Sequence, residues 1–198
     1  MAFIPPPENT HASLVQAMNN MDGVEFDMRL TADNQIVIHH DHEVSIPNDL
    51  FDGRSRYVED WNLEDLVELG FCSFEKLMQD KEWLVPWQEH SKVACLEIKR
   101  SHPSISKNPT TRMSKIMQIA SEMIDDAGIP EQSAVFYAFH RPMEKVAKLS
   151  GSSRPWSRLL PVVPRTGTHH GKRLRALPEF VRYSFSKLLN QQKKAGSP

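Results

Sequence analysis

The sequence predicts an α/β protein of one domain. Two observations point there. Runs with strand composition and period-two alternation recur at residues 23–30, 93–99 and 133–139, and stretches of helical periodicity with recognisable caps lie between them. A third bounds the class: of 198 residues, 39% are hydrophobic and 25% charged, and no apolar run approaches the ~20 residues of a membrane span.

Taken in order, Pro7-Glu8-Asn9-Thr10 opens a helix of about twelve residues, an ordinary helix length, with Asn9 or Thr10 as N-cap. The helix runs directly into the strand Gly23-Val-Glu-Phe-Asp-Met-Arg-Leu30. Strand side chains alternate faces, so Glu25, Asp27 and Arg29 point one way while Val24, Phe26, Met28 and Leu30 point the other. One face is apolar and packs; the other carries charge. A polar turn leads to a second short strand ending in His39-His40-Asp41, and residues 42–57 form a loop.

Residues 60–69 are amphipathic with acidic residues in the first turn, and 73–78 form a short helix capped by Ser73. Residues 93–99, Val-Ala-Cys-Leu-Glu-Ile-Lys, make an apolar strand ending in one carboxylate and one amine, with Cys95 inside it as a small core residue. A helix over 111–127 closes at Gly128, a buried strand covers 133–139, and a helix spans 142–149. Residues 150–155, Ser-Gly-Ser-Ser-Arg-Pro, read as a flexible break; 159–163 read as a fifth strand, 164–175 as loop and 178–192 as helix.

A net charge of −1 conceals a split. Residues 1–140 carry 11 Lys+Arg against 23 Asp+Glu, whereas 141–198 carry 13 against 2. The basic part, with Arg165, Lys172, Arg173, Arg175, Lys193 and Lys194, reads as a solvated surface that offsets the acidic half. Aromatic residues are not interleaved with it as a nucleic-acid stacking platform requires, so no nucleic-acid partner is expected. Two cysteines, Cys72 and Cys95, make no disulfide framework, and Met1 to Pro7 lacks the basic and apolar regions of a signal peptide. These features predict a cytoplasmic protein.

The ordered segments PENT, GVEFDMRLTADNQIVIHHD and LEIK are similar to those of the glycerophosphodiester phosphodiesterase family. There a Pro-Glu-Asn-Thr turn, a Glu-x-Asp strand followed by Leu-Thr-x-Asp, a Val-Val-x-His-Asp strand and a Glu-Ile-Lys strand follow one another. The match covers residues 5 to about 100. It implies a (β/α)8 TIM-type barrel of the phosphatidylinositol-phosphodiesterase-like kind, with its site at the C-terminal ends of the strands and the 42–57 loop over its mouth. By resemblance, Glu25, Asp27 and Glu97 ligate a divalent metal, Mg²⁺ or Ca²⁺, His40 is a catalytic acid/base and Lys99 touches the phosphate. The chemistry is consistent. Three carboxylates suit a hard cation that neutralises a phosphodiester, and histidine moves protons near neutral pH.

The resemblance also has gaps. The family's opening strand, ending His-Arg-Gly, would supply a second histidine and a phosphate-binding arginine; it has no counterpart here, nor do the late Trp-Thr-Val-Asn and Gly-Val-Asp-Gly segments. A full barrel takes ~250 residues, so the expectation is an incomplete barrel lacking its first and last strands. The implied reaction, within lipid and glycerophosphodiester metabolism, turns a small-molecule glycerophosphodiester into glycerol 3-phosphate and an alcohol. With one of two histidines identifiable, two alternatives stand beside it: a catalytically impaired relative that binds metal and phosphate esters, and a basic-tailed partner of anionic lipid or nucleic acid. Oligomeric state is left open.

The remaining histidines need weighing too. Adjacent strand residues face opposite ways, so His39, His40 and His42 do not read as a zinc site; the resemblance implies that His40, whose parity and place before Asp41 match the family's His-Asp, faces the cleft rather than His39. His169-His170 and His11 read as surface, His140 follows a strand and could face the site but reads first as a cap or solvated residue, and Glu8 reads as a helix-start residue supporting the site without ligating metal.

Overall fold

The computed structural model describes residues 6–46, 53, 55–89, 92–140 and 142–159. Helices and strands alternate as α1 (His11–Asn20), β1 (Gly23–Leu30), β2 (Ile36–Ile38), α2 (Leu63–Glu68), β3 (Cys72–Ser73), α3 (Phe74–Met78), α4 (Lys81–Glu89), β4 (Val93–Ile98), α5 (Pro109–Asp126), β5 (Ala134–Ala138), α6 (Met143–Ser150) and β6 (Trp156–Arg158). The strands form one sheet in the order β3-β2-β1-β4-β5-β6. β1, β4, β5 and β6 run parallel, whereas β2 and β3 join antiparallel at one edge. The fold is α/β and TIM-barrel-like, with an antiparallel hairpin where an all-parallel wall was implied.

Parity organises the layers. Phe26, Met28 and Leu30 of β1, Leu96 and Ile98 of β4 and Phe136 of β5 are buried in one apolar core with α1, α3, α4, α5 and α6 residues such as Met18, Phe74, Trp83, Met117 and Val146. The opposite face carries Asp27, Arg29 and Glu97. Near β2 that face is covered by a second cluster of Val37, Val44, Val58, Trp61, Leu63 and Leu66. Gly23 permits the close start of β1 beside β4, because a Cβ there would lie 2.3 Å from the Val93 carbonyl oxygen.

Local signals decide most element ends. Thr10, not Asn9, caps α1: its hydroxyl accepts from the Ser13 N–H at 3.2 Å, and the Ser13 hydroxyl returns a bond to the Thr10 backbone. Ser73 caps α3 as expected, at 3.3 Å from the Lys76 N–H. The helix expected at 60–69 is split into a 3-10 turn, Val58–Asp60, and α2. Helix α4 was not anticipated, because Pro86 lies inside it. A proline lacks the N–H that would bond the carbonyl four residues back; the Asn19 side chain supplies that bond instead, donating to the Glu82 carbonyl at 2.9 Å.

The segment 150–155 is pinned, contrary to the flexible break expected from its composition. Arg154 is 3% exposed, with Nε and Nη2 on the Asp125 carboxylate at 2.9 and 2.6 Å and further bonds to the carbonyls of Ile129 and Pro130. A strand not anticipated lies at Trp156–Arg158; of the strand expected at 159–163 only Leu159 is described, and residues 160–163, the helix at 178–192, His169, His170 and the basic positions from Arg165 to Lys194 fall outside the described residues.

Candidate active site

Parallel pairing of β1 with β4 sets Glu25 beside Cys95 and Asp27 beside Glu97. Parity then puts Glu25, Asp27, Glu97 and Lys99 on one face, with Asp27 midway along β1 level with Glu97 near the C-terminal end of β4. One carboxylate oxygen from each of Glu25, Asp27 and Glu97 lies within 4.8 Å of the others. Oxygens bound to one Mg²⁺ or Ca²⁺ at ~2.0–2.6 Å stand about that far apart at most, so the donor set and spacing fit a hard divalent cation. The Lys99 ammonium balances the nest, 2.9 Å from Asp27 Oδ1 and 2.8 Å from Glu97 Oε1.

Two neighbours hold the nest, Asn9, read from the sequence only as a helix cap, and Tyr137, which the sequence did not single out. Asn9, with a positive φ of 57°, donates its amide to Asp27 Oδ2 at 2.8 Å and accepts the Asp27 backbone N–H at 3.1 Å. Tyr137, paired with Glu97 across β4 and β5, donates its hydroxyl to the Glu25 carboxylate. Burial raises the Glu25 carboxyl above its ordinary range, the Tyr137 bond opposes that, and Asp27 and Glu97 reinforce it. Burial, then the Glu25 carboxylate and more weakly Glu97, hold the Tyr137 hydroxyl strongly protonated. Cys95 is half-buried on this charged face and not in the core; burial, then Glu25, raises its thiol. Its parity with Glu97 dictates that position.

His40 follows β2. The buried Arg29 guanidinium pairs with Glu59 at 3.0 Å and donates to the His40 carbonyl, fixing the backbone there. His40 Nδ1 lies 2.8 Å from Asp41 Oδ1, a contact that holds the Asp41 carboxyl below its usual range. His39 turns away, with Nε2 on the Glu43 carbonyl at 3.0 Å and its ring edge-on to Phe71.

The cleft over these residues has two lobes that share His40, Glu97, Lys99 and Phe139. The inner lobe, about 450 Å³, contains Asn9, Glu25, Asp27 and Tyr137, with exposed Glu8 at its rim. The outer lobe, about 690 Å³, is bounded by His42, Arg100, His140 and apolar Met113 and Pro142. His140 therefore lines the cleft, where a solvated or capping role was expected; its Nε2 lies 3.1 Å from the Thr110 hydroxyl. Burial, then Arg100, lowers its pKa, and burial with the charge of Arg29 brings His42 down to about 4. His11 is exposed, as expected of a surface residue, with Nε2 3.0 Å from Asp80 Oδ2.

A sequence model of the glycerophosphoryl diester phosphodiesterase family matches residues 2–136. The chain belongs to that family. It is 35% identical over 102 residues to YhdW of Bacillus subtilis (strain 168), a protein assigned to the glycerophosphodiester phosphodiesterases, and the match spans 50% of this chain and 37% of YhdW. The fold resembles a glycerophosphodiester phosphodiesterase from Parabacteroides distasonis (TM-score 0.59, 17% identity, 88% of this chain and 71% of that one). It also resembles an Oleispira antarctica phosphodiesterase solved with its product sn-glycerol-3-phosphate (TM-score 0.57, 19% identity, 87% and 67%). This family member thus spans little more than a third of YhdW and about two thirds of the Oleispira chain.

Proposed function

We propose that this protein hydrolyses glycerophosphodiesters to glycerol 3-phosphate and an alcohol, with Glu25, Asp27 and Glu97 as ligands of a divalent cation, His40 as acid/base and Lys99 on the phosphate. The observation that carries the reading is the convergence of three carboxylate oxygens within 4.8 Å, beside Lys99, in a cleft that His40 also lines. Bound there, a divalent cation would neutralise the diester and polarise it for attack.

The chain's own residues supply the rest. Lys99 already spans Asp27 and Glu97, so its ammonium lies at the edge of the nest where a phosphoryl oxygen would enter. Asp41 accepts from His40 Nδ1–H in the neutral imidazole, leaving the Nε2 lone pair for the proton of an attacking hydroxyl or water. Arg29, through the His40 carbonyl, keeps that ring at the cleft. A diester released from lipid, in the cytoplasm, suits such a site. No described helix is long and apolar enough to cross a membrane.

The test is release of glycerol 3-phosphate from glycerophosphoglycerol by the purified protein, with Mg²⁺ or Ca²⁺ and with chelator. Metal-dependent release that Glu25→Gln and His40→Ala each reduce at least 100-fold is expected, since an acid/base group contributes 10²–10⁴-fold. Release indifferent to Glu25→Gln overturns the reading; metal binding without release points to the non-catalytic relative.

A further inference from the structure

A phosphodiester has two alcohol arms leaving one phosphorus, and this cleft has two lobes meeting at His40, Glu97 and Lys99. The lobes differ in charge. The inner one holds Glu25 and Asp27, a setting for hydroxyl groups near a cation. The outer one carries three cations, Arg29, Lys99 and Arg100, and two carboxylates, Glu97, which shares Lys99 with Asp27, and Asp41, which lies against His40. Of its cations, Arg29 is committed to Glu59 and Lys99 to the nest. Arg100 is exposed, and among the described residues its guanidinium has no ion-pair partner. It is close enough to His42 and His140 to oppose the protonation of both, so one full positive charge and two neutral imidazoles converge on this lobe.

We propose that the outer lobe selects diesters whose second alcohol carries its own anionic group, a terminal phosphate being the fitting case, with Arg100 as the residue that reads it. The inference rests on the hydrolase reading above and names the substrate class within it. The geometry favours an anion because a guanidinium with no ion-pair partner among the described residues gives a bidentate, charge-assisted contact to phosphate. His42 and His140 flank Arg100 as uncharged hydrogen-bonding groups, and Phe139, Met113 and Pro142 offer an apolar wall for the carbon skeleton of the arm. The lobe, at about 690 Å³, has room for an arm with its phosphate.

The test separates binding from turnover. Dissociation constants are measured calorimetrically without divalent metal for three ligands: glycerophosphoglycerol bearing a terminal phosphate, glycerophosphoglycerol, and glycerophosphocholine. Wild type should bind the first about tenfold more tightly than either of the other two. In Arg100→Gln the ratio of the first two should fall close to one, and Arg100→Lys should restore part of it. Equal affinities in wild type, a ratio unchanged by Arg100→Gln, or a lysophospholipid that outcompetes all three would overturn the assignment. Turnover of the neutral glycerophosphoglycerol, measured separately with metal, reports on the hydrolase reading. A selective but inactive protein therefore leaves the inference standing and removes the function; an active but unselective one does the reverse.

Discussion

Asn9 holds Asp27 at both ends, its amide nitrogen donating to Oδ2 at 2.8 Å and its amide oxygen accepting the Asp27 backbone N–H at 3.1 Å. The two residues come from different elements, the turn before α1 and the middle of β1, so this pair sets the angle at which the chain enters the nest. Asn9 sits at a φ of 57°, a region asparagine tolerates and most residues do not. Asn9→Gly keeps that backbone and removes only the amide. It should cost about 1–2 kcal/mol, the usual price of unsatisfying a buried partner, and weaken cation binding 10–100-fold as loss of an outer support does. Urea unfolding and Mg²⁺ or Ca²⁺ titration read the two effects. Unchanged cation affinity would mean that Asp27 is oriented by Lys99 alone.

Glu25 and Asp27, although both nest carboxylates, should respond oppositely to neutralisation. Burial and two like charges raise Glu25, so Glu25→Gln relieves repulsion and leaves the metal-free protein as stable or slightly more so. Asp27 is 4% exposed and bonded to both Lys99 and Asn9. Asp27→Asn leaves the ammonium with one carboxylate fewer and should lower stability by about 1–3 kcal/mol. Both changes should abolish metal-dependent turnover. Thermal unfolding in chelator separates them, and a loss of stability in Glu25→Gln equal to that in Asp27→Asn would show the nest to be an ion-pair network in which Glu25 is an equal member.

The nest itself was legible because strand parity and motif order carry it: once Glu25 and Asp27 share a face of β1, parallel pairing with β4 brings Glu97 and Lys99 beside them. The same parity would have moved Cys95 from the core to the charged face. What was hidden depends on distant partners. Pro86 reads as a helix breaker until Asn19 is seen to satisfy the Glu82 carbonyl, and residues 150–155 have linker composition until Arg154 is seen buried against Asp125. Tyr137 and His140 reach the cleft through the β4–β5 register and the Thr110 contact, neither of which a single segment displays. The antiparallel β1–β2 pairing was foreshadowed by the polar turn after Leu30, whereas the addition of β3 to that edge joins segments distant in sequence.

Lys99 is the counter-charge of the metal-free site. Its side chain is 13% exposed and bridges two carboxylates that are more buried still, Asp27 at 6% and Glu97 at 11%. Removing one partner of such a group costs about 3–5 kcal/mol, so Lys99→Met should unfold well below wild type. Saturating Mg²⁺ or Ca²⁺ should return more stability to Lys99→Met than to wild type, because a cation replaces the missing charge. A Tm increment equal in both proteins would indicate that the cation binds elsewhere.

His42 should impose a pH dependence on stability. Burial, Arg29 and His102 bring its folded pKa to about 4 from an ordinary 6.5, so between these values the unfolded chain binds the proton more readily than the folded one. Stability linked to this group is therefore complete above pH ~6.5 and is lost as pH falls toward 4. The ring is partly solvated, which screens the effect. Asp41, whose carboxyl is lowered by His40, acts in the same direction, while Glu25 and Glu59, raised chiefly by burial, act in the opposite one. The difference between wild type and His42→Gln isolates the histidine. His42→Gln keeps a polar side chain against Arg29 and cannot titrate, so its stability should fall less steeply than wild type between pH 6.5 and 4. Parallel curves over that window would place the His42 pKa close to its unfolded value and remove the burial of this ring as a determinant of acid stability.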